Sequence, residues 1–330
     1  MKKSFTLIEL IIVIVILGIL STIAVEIIYK VYQNYYLSRV SNKLSYQTDL
    51  ILNRIAAKLK LRIPNSTIAV ECNVTNGDCE NGNIQSFKSV ELVSDSEAQN
   101  YPVLEWLEKD IYSKRGIYDS NKKLVIPGWA EFVDLVNTQT IAADEYQINM
   151  PYSNFDIVKE IDSNWTAQWG LNGDIFTNKY EVLIFSGPDS RGDFSDINNS
   201  YGYYGHNAYN VFQILNYSVD ENKTVAHIKA IDISNSTMVY EQYFLVNTAM
   251  AIVPVYNSDT QDFNLTLRFN YFPWNDQNYT AGNSALLATH VTQFRFREQN
   301  GIMRIYICIS DPKVKINSEA LQICKEKVVF

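Results

Sequence analysis

From residue 5 to residue 25 nearly every position is apolar, and the one ionisable side chain in that run of 21 residues is Glu9. A helix needs about 20 such residues to cross a bilayer. The pattern then changes. Ile28, Val31, Tyr35, Leu37, Val40, Leu44, Ile51, Ile55 and Leu59 recur mainly at steps of three and four, with a looser stretch before Ile51. Lys30, Arg39, Lys43, Arg54 and Lys58 fill the other face. That spacing predicts an amphipathic helix, which Pro64 ends. One helix over residues 5–62 would be about 87 Å long at ~1.5 Å per residue. Its first part needs an apolar surrounding, and its second part needs a folded domain to cover the stripe.

Beyond Pro64 the pattern is mixed as far as residue 150, with a short helix predicted over 103–112. Strand-like alternation follows at 180–185, 210–217, 224–233, 237–246, 263–271, 292–297 and 303–309. Asn300-Gly301 joins the last two, and an Asn-Gly pair between alternating runs predicts a two-residue hairpin. The fold class is α+β: a long N-terminal helix, membrane-spanning in its first part, followed by a large antiparallel β-rich ectodomain. The organisation is a leader at 1–4, a membrane or filament-core helix at 5–25, its amphipathic continuation at 26–63, and the ectodomain at 64–330. A subdivision near 150–180 is left open.

Lys2 and Lys3 precede the apolar run and favour a cytoplasmic N-terminus with the remainder exported. A carboxylate within such a segment costs about 2.5–3.5 kcal/mol to insert, so Glu9 points to a function and a partner. An ordinary signal peptide cut near Thr22-Ile23-Ala24 is the bland alternative, and it leaves Glu9 unexplained. Residues 1–30, above all Phe5-Thr6-Leu7-Ile8-Glu9 behind the basic leader, resemble the type IV pilin family, which includes the pseudopilins of type II secretion and DNA-uptake machines. The resemblance implies cleavage by a prepilin peptidase between Ser4 and Phe5, N-methylation of Phe5, and pairing of Glu9 with the amine of a neighbouring subunit. The family usually has Gly where Ser4 stands, and many members have Pro where Glu26 lies. Phe294/Phe296 and Ile305/Ile307/Ile309 also resemble the closing hairpin of large J-type minor pseudopilins.

The resemblance implies a structural subunit rather than an enzyme: a minor pilin or pseudopilin of a pilus, secretion or DNA-uptake filament. A bulky ectodomain would crowd a repeating lattice, which favours the tip. Glu9 favours a J-like position just below it, because the family's K-type tip subunits usually lack the acid. The implied partners are other pilin-like subunits in a heteromeric tip complex, the prepilin peptidase and the inner-membrane assembly platform. The implied location is the bacterial inner membrane, single pass with a periplasmic ectodomain, and then the filament. The competing class is a membrane-anchored periplasmic binding protein or hydrolase that borrowed the export signal.

Charge and chemistry refine this picture. Loss of Lys2 and Lys3 leaves 26 basic residues against 36 acidic ones, which argues against nucleic-acid binding by the surface as a whole. A local basic patch is left open. Cys72, Cys79, Cys308 and Cys324 all follow the apolar run, where an oxidising compartment favours disulfides. Three connectivities are possible, pairing by proximity being the simplest, and a four-thiolate metal site would need tighter spacing. Asp189, Asp193 and Asp196 surround two glycines in a loop that suits Ca²⁺, and it looks like a Ser-x-Gly-x-Asp calcium loop of several pseudopilins. The plain alternative is a solvated acidic turn.

Nine Asn-x-Ser/Thr sequons occur, and six have an acid two residues upstream: Asn73, Asn164, Asn198, Asn222, Asn264 and Asn278. With 36 acids among 330 residues, chance gives roughly one in nine. The excess resembles the extended acceptor of bacterial periplasmic oligosaccharyltransferases, against the alternative of turn chemistry. His206, His227 and His290 show no metal-ligand spacing, and no nucleophile, phosphate-loop or zinc-protease motif is present. The aromatic run at residues 201–206 is either an exposed binding loop or packing over a sheet edge.

Overall fold

A computed structural model describes residues 7–186, 197–220, 223–232, 239–316 and 319–330. It opens with α1 (Leu7–Leu59), a single 53-residue helix. Leu37 packs partly and Val40, Leu44, Ile51, Ile55 and Leu59 fully against the sheet domain, as the stripe predicts, but Ile28, Val31 and Tyr35 of the same stripe are exposed, because the helix has not yet reached that domain. Thr48 fills the gap before Ile51. It is fully buried, and its hydroxyl donates to the Leu44 carbonyl at 2.7 Å, so a polar residue continues an apolar stripe without an unmet donor. The helix stops three residues before the predicted end. Ile63 and Lys109 then exchange backbone hydrogen bonds with Leu107 and Leu61, so the chain leaves the helix straight into an extended pairing.

The ectodomain follows with β1 (Ile68–Glu71), α2 (Asp78–Asn81), β2 (Ser86–Ser89), β3 (Val103–Lys109), α3 (Ile111–Arg115), β4 (Ile117–Asp119) and β5 (Leu124–Ile126). Next come β6 (Asp134–Ala142), β7 (Glu145–Pro151), α4 (Phe155–Gln168), β8 (Val182–Phe185), β9 (Val211–Asp220) and β10 (Lys223–Ala230). The chain closes with β11 (Tyr243–Asn257), β12 (Asp262–Tyr271), β13 (Asn283–Gln299), β14 (Ile302–Ile316) and β15 (Glu319–Val329). Apart from the β4–β5 hairpin, these strands form one antiparallel 13-stranded sheet.

β11 is its spine. Val246 is paired both to Lys109 of β3 and to Val182 of β8, so those two strands lie on opposite edges. Ala249–Ile252 lie between β3 and β12, which puts β8 and β12 end to end along one edge. Three wings therefore meet on β11: β3-β1-β2, β8-β9-β10-β7-β6 and β12-β13-β14-β15. β7 pairs with β10 along seven positions, so the sheet bridges the 150–180 segment. α4 begins there, capped by Asn154, whose side chain accepts from the Asp156 and Ile157 N–H groups.

Two cores lie on opposite faces of the spine. Leu104 and Trp106 of β3, Met250 and Ile252 of β11, and the Met303/Ile305/Ile307 row of β14 face α1. Val103, Leu107, Ala251 and Val253 face the other core, built around Trp129, Phe155 and Phe212. Burial on both faces explains the error at 103–112. That segment carries helix-forming Leu, Glu and Lys, yet its first seven residues are strand, and only Ile111–Arg115 is helical. Pairing with β1 and β11 and burial on two sides override local preference. The predicted strand over 237–246 starts instead at Tyr243, with residues 237 and 238 outside the described chain.

Candidate functional site

Ser4 and Phe5 lie outside the described residues. Glu9 lies in the first turn of α1 and is exposed, where the helix's N-terminal partial charge favours a carboxylate. From Leu7 to Val31 the large apolar side chains are 44–78% exposed, whichever way they point. About 45 Å of helix, counted to Tyr36 at ~1.5 Å per residue, thus stands clear of the ectodomain, more than the ~30 Å of a bilayer core. A helix apolar all round belongs in lipid or among other apolar helices. Among the described residues it is the one helix long and apolar enough to span a membrane.

Polar clamps hold the other end. Arg62, at the end of the helical region, donates to the Leu59 carbonyl at 2.9 Å, to the Gly301 carbonyl at 2.5 Å and to Glu298 at 3.1 Å. Both partners of the Arg62–Glu298 ion pair are under 10% exposed. Gly301 belongs to the predicted two-residue turn, with Asn300 and Gly301 at φ 52° and 76°. Positive φ at both positions is what that hairpin requires. Lys58 pairs with the buried Glu108 at 2.9 Å, and Lys325 of β15 pairs with Asp49. Burial pushes the Glu108 and Glu298 carboxyls up, and the paired cations pull them back.

The structure pairs Cys72 with Cys79 and Cys308 with Cys324, the latter two facing each other in the β14–β15 register. Asp189, Asp193 and Asp196 lie outside the described residues, as does Asn222. Of the other acid-preceded sequons, Asn73 and Asn164 are exposed, and Asn198, Asn264 and Asn278 are half-buried. The upstream acids differ more. Asp162 and Asp262 are buried, Asp262 within 2.7 Å of His290, whereas Asp276 is exposed. In the folded chain Asp276 can be read by an enzyme and those two cannot. His227 pairs with Glu145 at 3.3 Å, so the histidines are dispersed.

The aromatic run packs. Tyr201 and Tyr203 are buried, and Tyr203 donates to the Ser66 carbonyl at 2.8 Å. Tyr204 donates to Glu105 at 2.7 Å, and Tyr271 donates to its other oxygen at 2.9 Å. Glu105, in the middle of β3, is wholly buried, and burial raises its carboxyl pKa to about 7 against the opposing pull of the two tyrosines. The sequence pattern missed this acid, and it missed the meeting of Asp110, Asp162 and Glu181. An acid inside an apolar run, Leu104-Glu105-Trp106 or Glu181 before Val182, was the available signal; the partners come only from the tertiary fold.

An exposed apolar helix ahead of a disulfide-bearing sheet domain is consistent with a single-pass, membrane-anchored protein. Residues 1–25 match the prokaryotic N-terminal methylation motif, the signature of type IV pilin-like, prepilin-processed proteins. Comparison with curated proteins and with solved structures gave no match.

Proposed function

We propose that this chain is a minor pilin or pseudopilin: a structural subunit that enters a type IV pilin-like filament through α1 and carries its ectodomain near the filament tip. The observation that carries the reading is the 45 Å or so of uncovered helix, largely apolar from Leu7 to Val25 with Glu9 in its first turn, that apolar part lying inside the methylation motif. After cleavage, the Phe5 amine of one subunit would meet Glu9 of the next. That pairing offsets the desolvation of both charges and fixes the axial step between helices. Lys2 and Lys3 favour a cytoplasmic N-terminus, and two disulfides suit an oxidising periplasm. A 13-stranded sheet on a single stalk supports a position where no further subunit must stack above it. Other pilin-like subunits, the prepilin peptidase and the inner-membrane platform are the partners this role requires.

Glu9→Ala tests the reading in the native host. The variant should accumulate in the membrane at normal levels while filament assembly, or the secretion or DNA uptake that depends on it, falls at least about tenfold, the size expected when one partner of a desolvated charge pair is removed. Unchanged assembly would favour a membrane-anchored binding protein or hydrolase.

A further inference from the structure

Asp110 caps α3, Asp162 lies on the buried face of α4, and Glu181 stands immediately before β8. The fold brings one carboxylate oxygen from each within 4.8 Å of the other two. All three side chains are buried, at 1%, 2% and 0% exposure respectively. Asp110 uses Oδ1 to accept from the Tyr112 and Ser113 N–H groups and leaves Oδ2 without an amide, hydroxyl or cation donor. Asp162 Oδ1 accepts from the Asn247 amide at 3.5 Å, its Oδ2 receives no amide, hydroxyl or cation, and its carboxyl lies close enough to that of Asp110 for the two to share a proton. Glu181 has no hydrogen-bond partner on either oxygen. Nearby cations point elsewhere: the Lys109 ammonium sits 3.9 Å over the Phe244 ring, and Lys114 pairs with Glu131 at 2.7 Å. Among the described residues no lysine, arginine or histidine forms an ion pair with the three acids. A shared proton serves Asp110 and Asp162 alone, whereas Glu181 is fully buried with both oxygens unmet, and an unpartnered carboxylate is strongly disfavoured in an interior.

We propose that Asp110, Asp162 and Glu181 form a buried site for one Ca²⁺ ion that ties α4 and β8 to the end of β3. Three oxygens no more than 4.8 Å apart lie within about 2.8 Å of a common centre, close to the roughly 2.3–2.6 Å of Ca²⁺–oxygen bonds. Mg²⁺ demands shorter bonds and keeps several waters, and Zn²⁺ prefers nitrogen and sulfur. Glu181 can ligate through both oxygens, Asp110 and Asp162 each through Oδ2, and the Asn247 amide presents its oxygen once flipped, an exchange that ordinary amide assignment allows. Water completes the six or more ligands that Ca²⁺ takes. The site is distinct from Asp189, Asp193 and Asp196.

The test uses the full chain in detergent, stripped with chelator and titrated with CaCl₂. Wild type should retain one Ca²⁺ at this site, and its melting midpoint should rise on the order of 5 °C at a Ca²⁺ concentration a hundred times the dissociation constant. The Asp189→Ala/Asp193→Ala/Asp196→Ala triple variant should keep that ion and that response. Glu181→Gln should weaken binding at least about tenfold, yet when stripped it should melt no lower than stripped wild type, because an uncompensated buried acid has gone. Two results overturn the proposal. One is a wild type that holds no Ca²⁺ and melts alike with and without it, leaving the carboxyls to share protons. The other is a triple variant that retains no ion. If Glu181→Gln does not fold, the triple variant alone decides.

Discussion

Glu105 shows at the scale of one residue how burial writes a pH dependence into the fold. Its carboxyl titrates near 7 when folded and near 4.5 when exposed. Between those values the folded chain keeps a proton that the unfolded chain has released, so unfolding is favoured increasingly as pH rises. The contribution is greatest below pH 4.5 and is lost as pH climbs to 7, at ~1.4 kcal/mol per unit and roughly 3 kcal/mol in all. Tyr204 and Tyr271 hold the two oxygens, with Tyr203 and Tyr279 close enough to feel its charge. Glu105→Gln should therefore gain stability relative to wild type between pH 5 and pH 8, read as a difference in denaturation midpoints across that range. A constant difference at every pH would mean that Glu105 is ionised in the folded chain.

At the scale of elements, α1 is two helices in one. The large apolar side chains of its outer half are exposed, and its inner half is held by ordinary packing. Ile55 is 2% exposed against the β3, β11 and β14 rows, so Ile55→Ala should destabilise the ectodomain by about 2–5 kcal/mol in chemical denaturation. Membrane insertion, which uses the other half, should be unchanged. This helix was legible in the sequence because both halves follow a simple pattern, and from Val40 on the stripe names five of the buried residues, missing Thr48, Leu52 and Ala56. The Asn300-Gly301 hairpin was legible because its turn demands positive φ at both positions. β3 was not, because Glu105 and Glu108 look like helix surface until Tyr204, Tyr271 and Lys58 supply partners from elsewhere. β11 was seen only in its first part: Ala249 to Tyr256 is apolar on both faces and contains Pro254, so it shows no alternation. The methylation motif was readable throughout, whereas the Asp110–Asp162–Glu181 cluster needed the fold to exist.

At the scale of the molecule, three wings converge on β11, and the outermost strand of one of them, β15, is also the strand that reaches Asp49 on α1. The Cys308–Cys324 bridge, closing a separation of 16 residues, pins β15 to β14. Loops of that size contribute about 3 kcal/mol. Cys308→Ala/Cys324→Ala should accordingly raise hydrogen exchange first in β15 and in the part of α1 it covers, while the β8-to-β6 wing stays protected; uniform loosening would show that the wings unfold as one. In the proposed role this domain is carried by α1, and that role depends on how the start of α1 is processed. The most direct measurement is the N-terminus of the mature protein from its native host, by intact mass and terminal peptide sequencing. The mature chain should begin at Phe5, having lost residues 1–4, and carry one added methyl group on its amine. A chain beginning at Val25, or retaining Met1 with no methyl group, would contradict the proposed role.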